Sequence, residues 1–234
     1  ITEVLGDFHS PGIETKIAIR DYSIPFKWDD KAVAEVNRIS TKVSIDEKRV
    51  DLRDKYFVTI DGEDAKDFDD AVYCEPVDNG FYRLYVAIAD VSEYIKADSY
   101  LDKEALKRGN SVYFPNSVIP MLPEKLSNGL CSLNPNEDKL TVVCEMLINS
   151  SGDIESYQFY EAVIISQSRK TYTQVARFIR NIHIDKSMRA EQSTFEPGAA
   201  RLVKNLHEVF KLLELIRDNR GAISFETQDT KILF

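Results

Sequence analysis

The sequence predicts an α+β fold in which helices pack on a mixed, largely antiparallel sheet. Two hairpin signals support this prediction, because strand-like apolar runs flank both Asp-Asn-Gly at residues 78–80 and Ser-Ser-Gly-Asp at residues 150–153. A third observation is the helical spacing of apolar residues between positions 202 and 216. The chain has 234 residues and 43% hydrophobic content, enough for one substantial core.

The N-terminal 45 residues predict strands followed by a helix. Residues 1–5 and 15–20 are strand-like and are separated by turns, and the first strand would lack an earlier partner. Asp29 or Asp30 is expected to cap a helix that runs to about Ile39. This segment is therefore predicted to be the end of a β-rich domain.

The rest of the chain predicts strands in pairs, with helices between them. Strands are expected at residues 56–60, 71–77, 81–89, 140–148, 154–165 and 222–225. Helices are expected from Ser99 to Gly109, from Thr171 or Thr173 to Arg180, and over the apolar stripe after Gly198. Prolines between residues 113 and 123 predict an irregular loop there.

Composition excludes several classes of protein. The formal net charge of −9 argues against a simple cationic nucleic-acid-binding module, though not against a nuclease whose acidic site is neutralised by a metal. Cys74, Cys131 and Cys144 form no metal-binding pair and are interpreted as reduced thiols of a cytoplasmic protein. No apolar run has the length of a membrane span, so no membrane partner is expected.

One acidic stretch is the main candidate for a functional site. Residues 61–70 hold six carboxylates and a single lysine, bracketed by strand-like runs. A solvated acidic turn is one interpretation. A calcium loop would need glycine at its sixth position and glutamate at its twelfth, where this chain has Lys66 and Val72. The third interpretation is a catalytic site for phosphoryl transfer, and oxygen ligands without histidine or cysteine suit Mg²⁺ or Mn²⁺.

Spacing within the acidic stretch favours the metal site modestly. Asp67 and Asp69 are two residues apart and share a face of an extended chain, whereas Asp70 points the other way. An irregular turn is therefore needed to bring all of these carboxylates to one centre.

Several segments together resemble the RNB exoribonucleases, the family of ribonuclease II and ribonuclease R. The segments are Asp-Leu-Arg-Asp at residues 51–54, residues 59–71 around the acidic stretch, Val-Ala-Ile-Ala-Asp-Val-Ser at 86–92, Ser-Val-Tyr-Phe-Pro at 111–115, Ile-Pro-Met-Leu-Pro at 119–123, residues 126–135 and Gly-Ala-Ile-Ser-Phe at 221–225. The form at residues 111–115 is similar to the bacterial ribonuclease R branch.

The resemblance implies a domain organisation. Residues 1–45 would be the end of an OB-like cold-shock domain with its linker, and residues 46–234 the N-terminal part of an RNB catalytic domain. The family's catalytic domain continues further, with a Ser-Pro-Ile-Arg-type motif and an S1 domain that this chain lacks. The isolated chain is therefore expected to be inactive.

The resemblance also implies an activity. The parent protein would be a Mg²⁺-dependent hydrolytic exoribonuclease that degrades single-stranded RNA from its 3′ end to nucleoside 5′-monophosphates, and it would be monomeric and cytoplasmic. The alternative is a non-catalytic RNA-binding or scaffold protein that keeps the RNB fold. The clustered, mutually repulsive carboxylates argue against the alternative.

Residue roles follow from the same resemblance. The family's catalytic and metal-binding aspartates correspond to Asp61, Asp67, Asp69 and Asp70. Asp61 and Asp70 are the candidates for direct Mg²⁺ ligands, and Asp69 for holding a second metal or its water. Tyr113 corresponds to the tyrosine that stacks on the 3′-terminal nucleotide.

Overall fold

The computed structural model describes residues 1–7, 9–115, 117–182 and 195–223. The helices are α1 (Ile13–Asp21), α2 (Asp30–Arg38), α3 (Val91–Tyr94), α4 (Tyr100–Arg108), α5 (Tyr172–Ile182) and α6 (Pro197–Asn219). The strands are β1 (Val50–Asp51), β2 (Phe57–Asp61), β3 (Asp70–Val77), β4 (Phe81–Ala89), β5 (Val112–Phe114), β6 (Ser117–Ile119), β7 (Asp138–Ile148) and β8 (Ile154–Thr171). No helix in these ranges is long and apolar enough to cross a membrane.

The described residues form two compact units. The first unit contains residues 1–41 and 92–127, and the second contains residues 42–91, 128–182 and 195–223, apart from the undescribed positions. The predicted boundary near residue 45 divides the chain at one point, whereas each of these units combines segments that are distant in sequence. The assignment of residues 1–45 to an OB-like domain stays a prediction.

The first unit is built around the packing of α2 against α4. Asp29 caps α2 by accepting a hydrogen bond from the Lys31 amide, and Ser99 caps α4 in the same way, so both predicted helix starts are confirmed. Arg108 lies buried at the end of α4, with its guanidinium 3.5 Å from the centre of the Trp28 ring. This stacking fixes the C-terminal end of α4 within the unit.

Three predictions for the first unit are wrong. Residues 1–5, predicted as a strand, carry no regular secondary structure. Residues 15–20 belong to helix α1 instead of a strand, because Ile13 and Ile19 turn inward while Glu14 and Lys16 are exposed. The proline-rich segment is not irregular throughout: β5 and β6 pair as a short antiparallel hairpin. Pro115 lies in its turn and Pro120 just beyond β6, so neither proline removes a hydrogen bond from the pairing.

The second unit contains the six-stranded sheet, in the order β1-β8-β2-β3-β4-β7. Both predicted hairpins are confirmed, since β3 pairs with β4 and β7 pairs with β8 in antiparallel fashion. The turn after β3 uses left-handed backbone at Asn79 and Gly80, with φ of 62° and 74°. The α+β fold with a largely antiparallel sheet is confirmed.

Strand β8 is longer than the sequence predicts, and its two halves have different partners. Residues 154–165 pair with β7, whereas residues 166–171 pair in parallel with β2. The second half of β8 therefore lies beside the last residues of β2, where the acidic stretch begins. Of the strand predicted at residues 222–225, residues 222 and 223 carry no regular secondary structure, and residues 224 and 225 lie outside the described residues.

Helix α6 covers one face of the sheet and closes the core. The buried residues of this core cluster are Val58, Cys74, Leu84, Ile148, Leu202 and Val209. Four of the apolar-stripe positions, Leu202, Leu206, Val209 and Leu213, belong to this cluster or contact it, so the predicted amphipathic helix is confirmed. Each fully buried aliphatic side chain of this kind contributes about 1.5–3 kcal/mol. The core thus fixes β2 and β3, the strands on either side of the acidic stretch.

Candidate active site

The acidic loop, residues 62–69, joins the end of β2 to the start of β3. Asp61 is the last residue of β2, and Asp70 is the first residue of β3. Because these strands are antiparallel neighbours, both ends of the loop lie at the same edge of the sheet. The fold therefore brings together two aspartates that are nine positions apart in sequence.

Three backbone contacts hold the second half of the acidic loop. The Phe68 amide donates to Ser132 Oγ at 3.0 Å, and the Leu133 amide donates to the Phe68 carbonyl at 2.8 Å. The Ala89 amide donates to the Asp69 carbonyl at 3.0 Å. These contacts use main-chain groups of the loop, so they fix the path of the loop without occupying the aspartate carboxylates.

The end of β4, where the Ala89 amide binds the Asp69 carbonyl, is itself anchored. Asp90 follows Ala89 directly and forms a buried ion pair with Arg49, with 2.6 Å between Oδ2 and Nη2. Both side chains are only 3% exposed. A buried pair of this kind is costly to break from one side, because the remaining charge would lose its partner. The pair thus keeps the end of β4 in place beside the loop.

Arg169 holds the first half of the acidic loop. It lies on β8, opposite Thr59 of β2. Its Nη2 donates to the carbonyls of Gly62 and Glu63, at 2.9 and 2.8 Å. Its guanidinium also lies over the Phe68 ring, 4.8 Å from the ring centre. One arginine therefore contacts both halves of the loop.

The carboxylates of the site influence one another electrostatically. Burial raises the pKa of Asp61, and the charges of Asp70, Asp69 and Asp67 raise it further, whereas Arg169 opposes them. The pKa of Asp69 is also raised, first because neighbouring protein atoms displace part of its hydration and then by the charges of Asp67 and Asp70. The four aspartates are thus close enough to repel one another.

The spacing and the chemistry of these carboxylates bear on whether they can hold a metal ion. Within the described ranges, no three Asp, Glu, His or Cys side chains lie close enough together to hold one as they stand. However, Asp61 Oδ2 is buried and has no hydrogen-bond partner among the described residues. A buried carboxylate oxygen without a donor is costly, and a hard cation would satisfy it. The donor set, all carboxylate oxygen, therefore fits Mg²⁺ or Mn²⁺.

Tyr113, the remaining predicted site residue, lies in the first unit on β5. It pairs with Val118 across the β5–β6 hairpin, and its side chain is 68% exposed. An aromatic ring held on a strand and exposed to solvent is a suitable surface on which a base can stack.

Sequence reasoning missed two residues of the site, Arg169 and Ser132. Arg169 lies in a polar run, Ser-Arg-Lys-Thr at residues 168–171, which gave no sign that β8 continues beside β2. Ser132 lies in a segment without regular structure. Since both residues act on loop main-chain groups more than 60 positions away, no local spacing could have identified them.

Comparisons with known proteins identify a family for this chain. The RNB domain family matches residues 49–234. Ribonuclease R from Vibrio parahaemolyticus is 51% identical over 236 residues, and the match covers 100% of this chain and 27% of that protein. Ribonuclease R from Escherichia coli K12 is 48% identical, with 100% and 28% coverage. The chain therefore spans little more than a quarter of the length of these relatives.

A solved structure shows the same fold. Mycoplasma genitalium RNase R in complex with ribose-methylated single-stranded RNA superposes with a TM-score of 0.88 and is 34% identical. The match covers 99% of this chain and 35% of that one. With the family match over most of its length, this chain belongs to the RNB domain family.

Proposed function

We propose that the parent protein is a hydrolytic 3′-to-5′ exoribonuclease and that this chain supplies the acidic half of its active site. The parent would act in the cytoplasm as a monomer and release nucleoside 5′-monophosphates. The observation that carries the proposal is the acidic loop together with Asp61 and Asp70 at its two ends. Their carboxylates repel one another, and they include a buried Asp61 oxygen without a hydrogen-bond donor among the described residues. The similarity to ribonucleases R over the whole chain supports it.

The four aspartates would hold Mg²⁺, with Mn²⁺ as a possible substitute. Asp61 and Asp70, at the ends of the two strands, would be direct ligands, and Asp67 and Asp69 would complete the site from the loop. When bound, the metal supplies positive charge that stabilises the phosphate in the transition state and activates water. The protein's own contribution is to keep four carboxylates together against their repulsion, through the core strands and the contacts that fix the loop.

The substrate would be the 3′ end of single-stranded RNA. A relative in the family has been solved with single-stranded RNA bound. Tyr113 would stack on the terminal base, and because every base has a π-face, such stacking tolerates any sequence at about 1–3 kcal/mol per base. The net charge of −9 repels RNA, so cationic groups of the parent outside this chain would be needed. The isolated chain should therefore show little or no hydrolysis.

The proposal is tested with the full-length parent and two RNAs of identical sequence, one linear and one circular. The linear RNA carries a label on its 3′-terminal nucleotide. With Mg²⁺, labelled nucleoside 5′-monophosphate should appear before the RNA shortens measurably, and the circle should stay intact. Cleavage of the circle at a similar rate would contradict an exonuclease.

Two variants make this test specific for the acidic site. Asp70→Asn should abolish the release, whereas the matched control Asp78→Asn, in the exposed turn after β3, should not. RNA binding without hydrolysis in the unaltered parent would favour the scaffold alternative instead.

A further inference from the structure

We infer that Arg169 is a positioning residue: it binds the main chain of the acidic loop and thereby leaves the carboxylate of Asp61 available for a cation. This inference rests on the proposed function, because it assigns Arg169 a role at the proposed metal site. Arg169 itself would contact neither the metal nor the RNA.

The strand register places Arg169 on the same face of the sheet as Asp61. Arg169 is opposite Thr59, and Thr171 is opposite Asp61, on adjacent parallel strands. Because side chains alternate along a strand, Thr59, Asp61 and Arg169 project from one face. An arginine at this position is therefore a neighbour of Asp61, and its charge is one of the influences on that carboxyl group.

An arginine beside an aspartate usually forms a charge-assisted, forked hydrogen bond to the carboxylate. Here Nη2 instead donates to two main-chain carbonyls, of Gly62 and Glu63. Asp61 Oδ2 is buried without a donor among the described residues, and Arg169 Nε is likewise buried without an acceptor among them. The guanidinium is thus committed to the loop, and the carboxylate oxygen keeps its full capacity to bind a cation.

The ring of Phe68 completes this arrangement. Phe68 is buried, and the Arg169 guanidinium lies over its ring while Ser132 and Leu133 bind its main chain. Phe68 lies between Asp67 and Asp69, so the contact with Arg169 restrains both neighbouring aspartates. Arg169 therefore links the start of the loop, at Gly62, to the part that carries the other two carboxylates.

Charge and positioning predict opposite effects when Arg169 is removed. If Arg169 acted only through its charge, its loss would remove a cation from the site and would strengthen metal binding. If Arg169 positions the loop, its loss should weaken metal binding, as happens when residues that orient metal ligands are mutated, typically by about 10–100-fold. The sign of the change therefore separates the two roles.

The test is Mn²⁺ binding to the full-length parent, measured by calorimetry without RNA, together with thermal unfolding. Arg169→Met removes both the charge and the donors, and it should weaken Mn²⁺ binding at least about tenfold. Arg169→Lys keeps the charge but loses the planar stack on Phe68, and it should fall between the parent and Arg169→Met. The control is Arg83→Met. It removes an arginine of β4 that pairs with Glu145, and it should leave Mn²⁺ binding unchanged.

The outcomes of these measurements decide the inference. Unchanged or tighter Mn²⁺ binding by Arg169→Met would overturn it. If Arg169→Met does not fold, Arg169→Lys decides: weaker binding supports the inference and parent-like binding overturns it. Asp61→Asn tests the proposed function separately. If this variant binds Mn²⁺ as the parent does, the metal does not bind at the proposed site and the proposed function fails. If Asp61→Asn weakens Mn²⁺ binding and Arg169→Met does not, only the role of Arg169 is rejected.

Discussion

Ser132→Ala tests the contact that fixes the middle of the acidic loop. Ser132 is fully buried, and its hydroxyl oxygen accepts the Phe68 amide at 3.0 Å. Alanine keeps nearly the same volume but removes the acceptor, so the buried amide of Phe68 would lose its partner. Leaving a buried donor unsatisfied costs about 1–3 kcal/mol.

This cost converts into a measurable change in the melting temperature. For a domain of this size, 1 kcal/mol lowers the melting temperature by roughly 2–4 °C. A central value of about 2 kcal/mol therefore predicts a decrease of roughly 4–8 °C for Ser132→Ala. The assay is thermal unfolding of the 234-residue chain followed by circular dichroism. The lost contact should also loosen Phe68, and with it Asp67 and Asp69.

The matched control is Ser156→Ala, on the exposed part of β8. A surface substitution of this kind should stay within about 0.5 kcal/mol of the parent. The reasoning would be refuted if Ser132→Ala melted within 1–2 °C of the parent, roughly the change allowed to the control. That result would mean that the Phe68 amide finds another acceptor or water.

The remaining predictions concern packing, thiol reactivity and RNA. Gly198→Ala should destabilise the chain by about 1–3 kcal/mol, because a β-carbon there would lie 2.6 Å from Tyr56 Cε2; chemical denaturation would show this as a lower midpoint at unchanged slope. Burial raises the pKa of Cys74 and Cys131 to about 12, so both thiols stay protonated at pH 8. They should therefore react with iodoacetamide only after unfolding, which mass spectrometry would detect. Rapid labelling of the folded chain would contradict their burial. In the full-length parent, Tyr113→Ala should lengthen the oligonucleotide left after exhaustive digestion, and an unchanged end product would show that Tyr113 does not stack on the terminal nucleotide.

The features that could be predicted from the sequence are local ones. The hairpin turn at residues 78–80 needs left-handed backbone, which asparagine and glycine supply, and the flanking strands formed as expected. The caps at Asp29 and Ser99 are likewise short-range, since each side chain binds an amide two or three residues further on. The acidic stretch could be identified for the same reason, because six carboxylates fall within residues 61–70.

The features that escaped prediction depend on contacts between distant segments. The alternation of isoleucines at residues 13–19 fits a strand as well as a helix, and burial within the first unit decided for the helix. The second half of β8 is a strand because β2 lies beside it, more than 100 positions earlier in the sequence. Arg169 therefore acquires its place at the acidic loop only through the folded sheet.

The central claim is that the acidic loop performs hydrolysis, and Asp69→Asn in the full-length parent tests it most directly. The measurement compares single-turnover hydrolysis of single-stranded RNA in Mg²⁺ with RNA affinity in the same buffer without hydrolysis. Hydrolysis should fall by at least about 10²-fold, the scale expected when electrostatic stabilisation of a transition state is removed. RNA affinity should stay the same or increase, because the change also removes a charge that repels phosphate. If affinity and hydrolysis fell in the same proportion, Asp69 would have a structural role and the account of the acidic loop would be wrong.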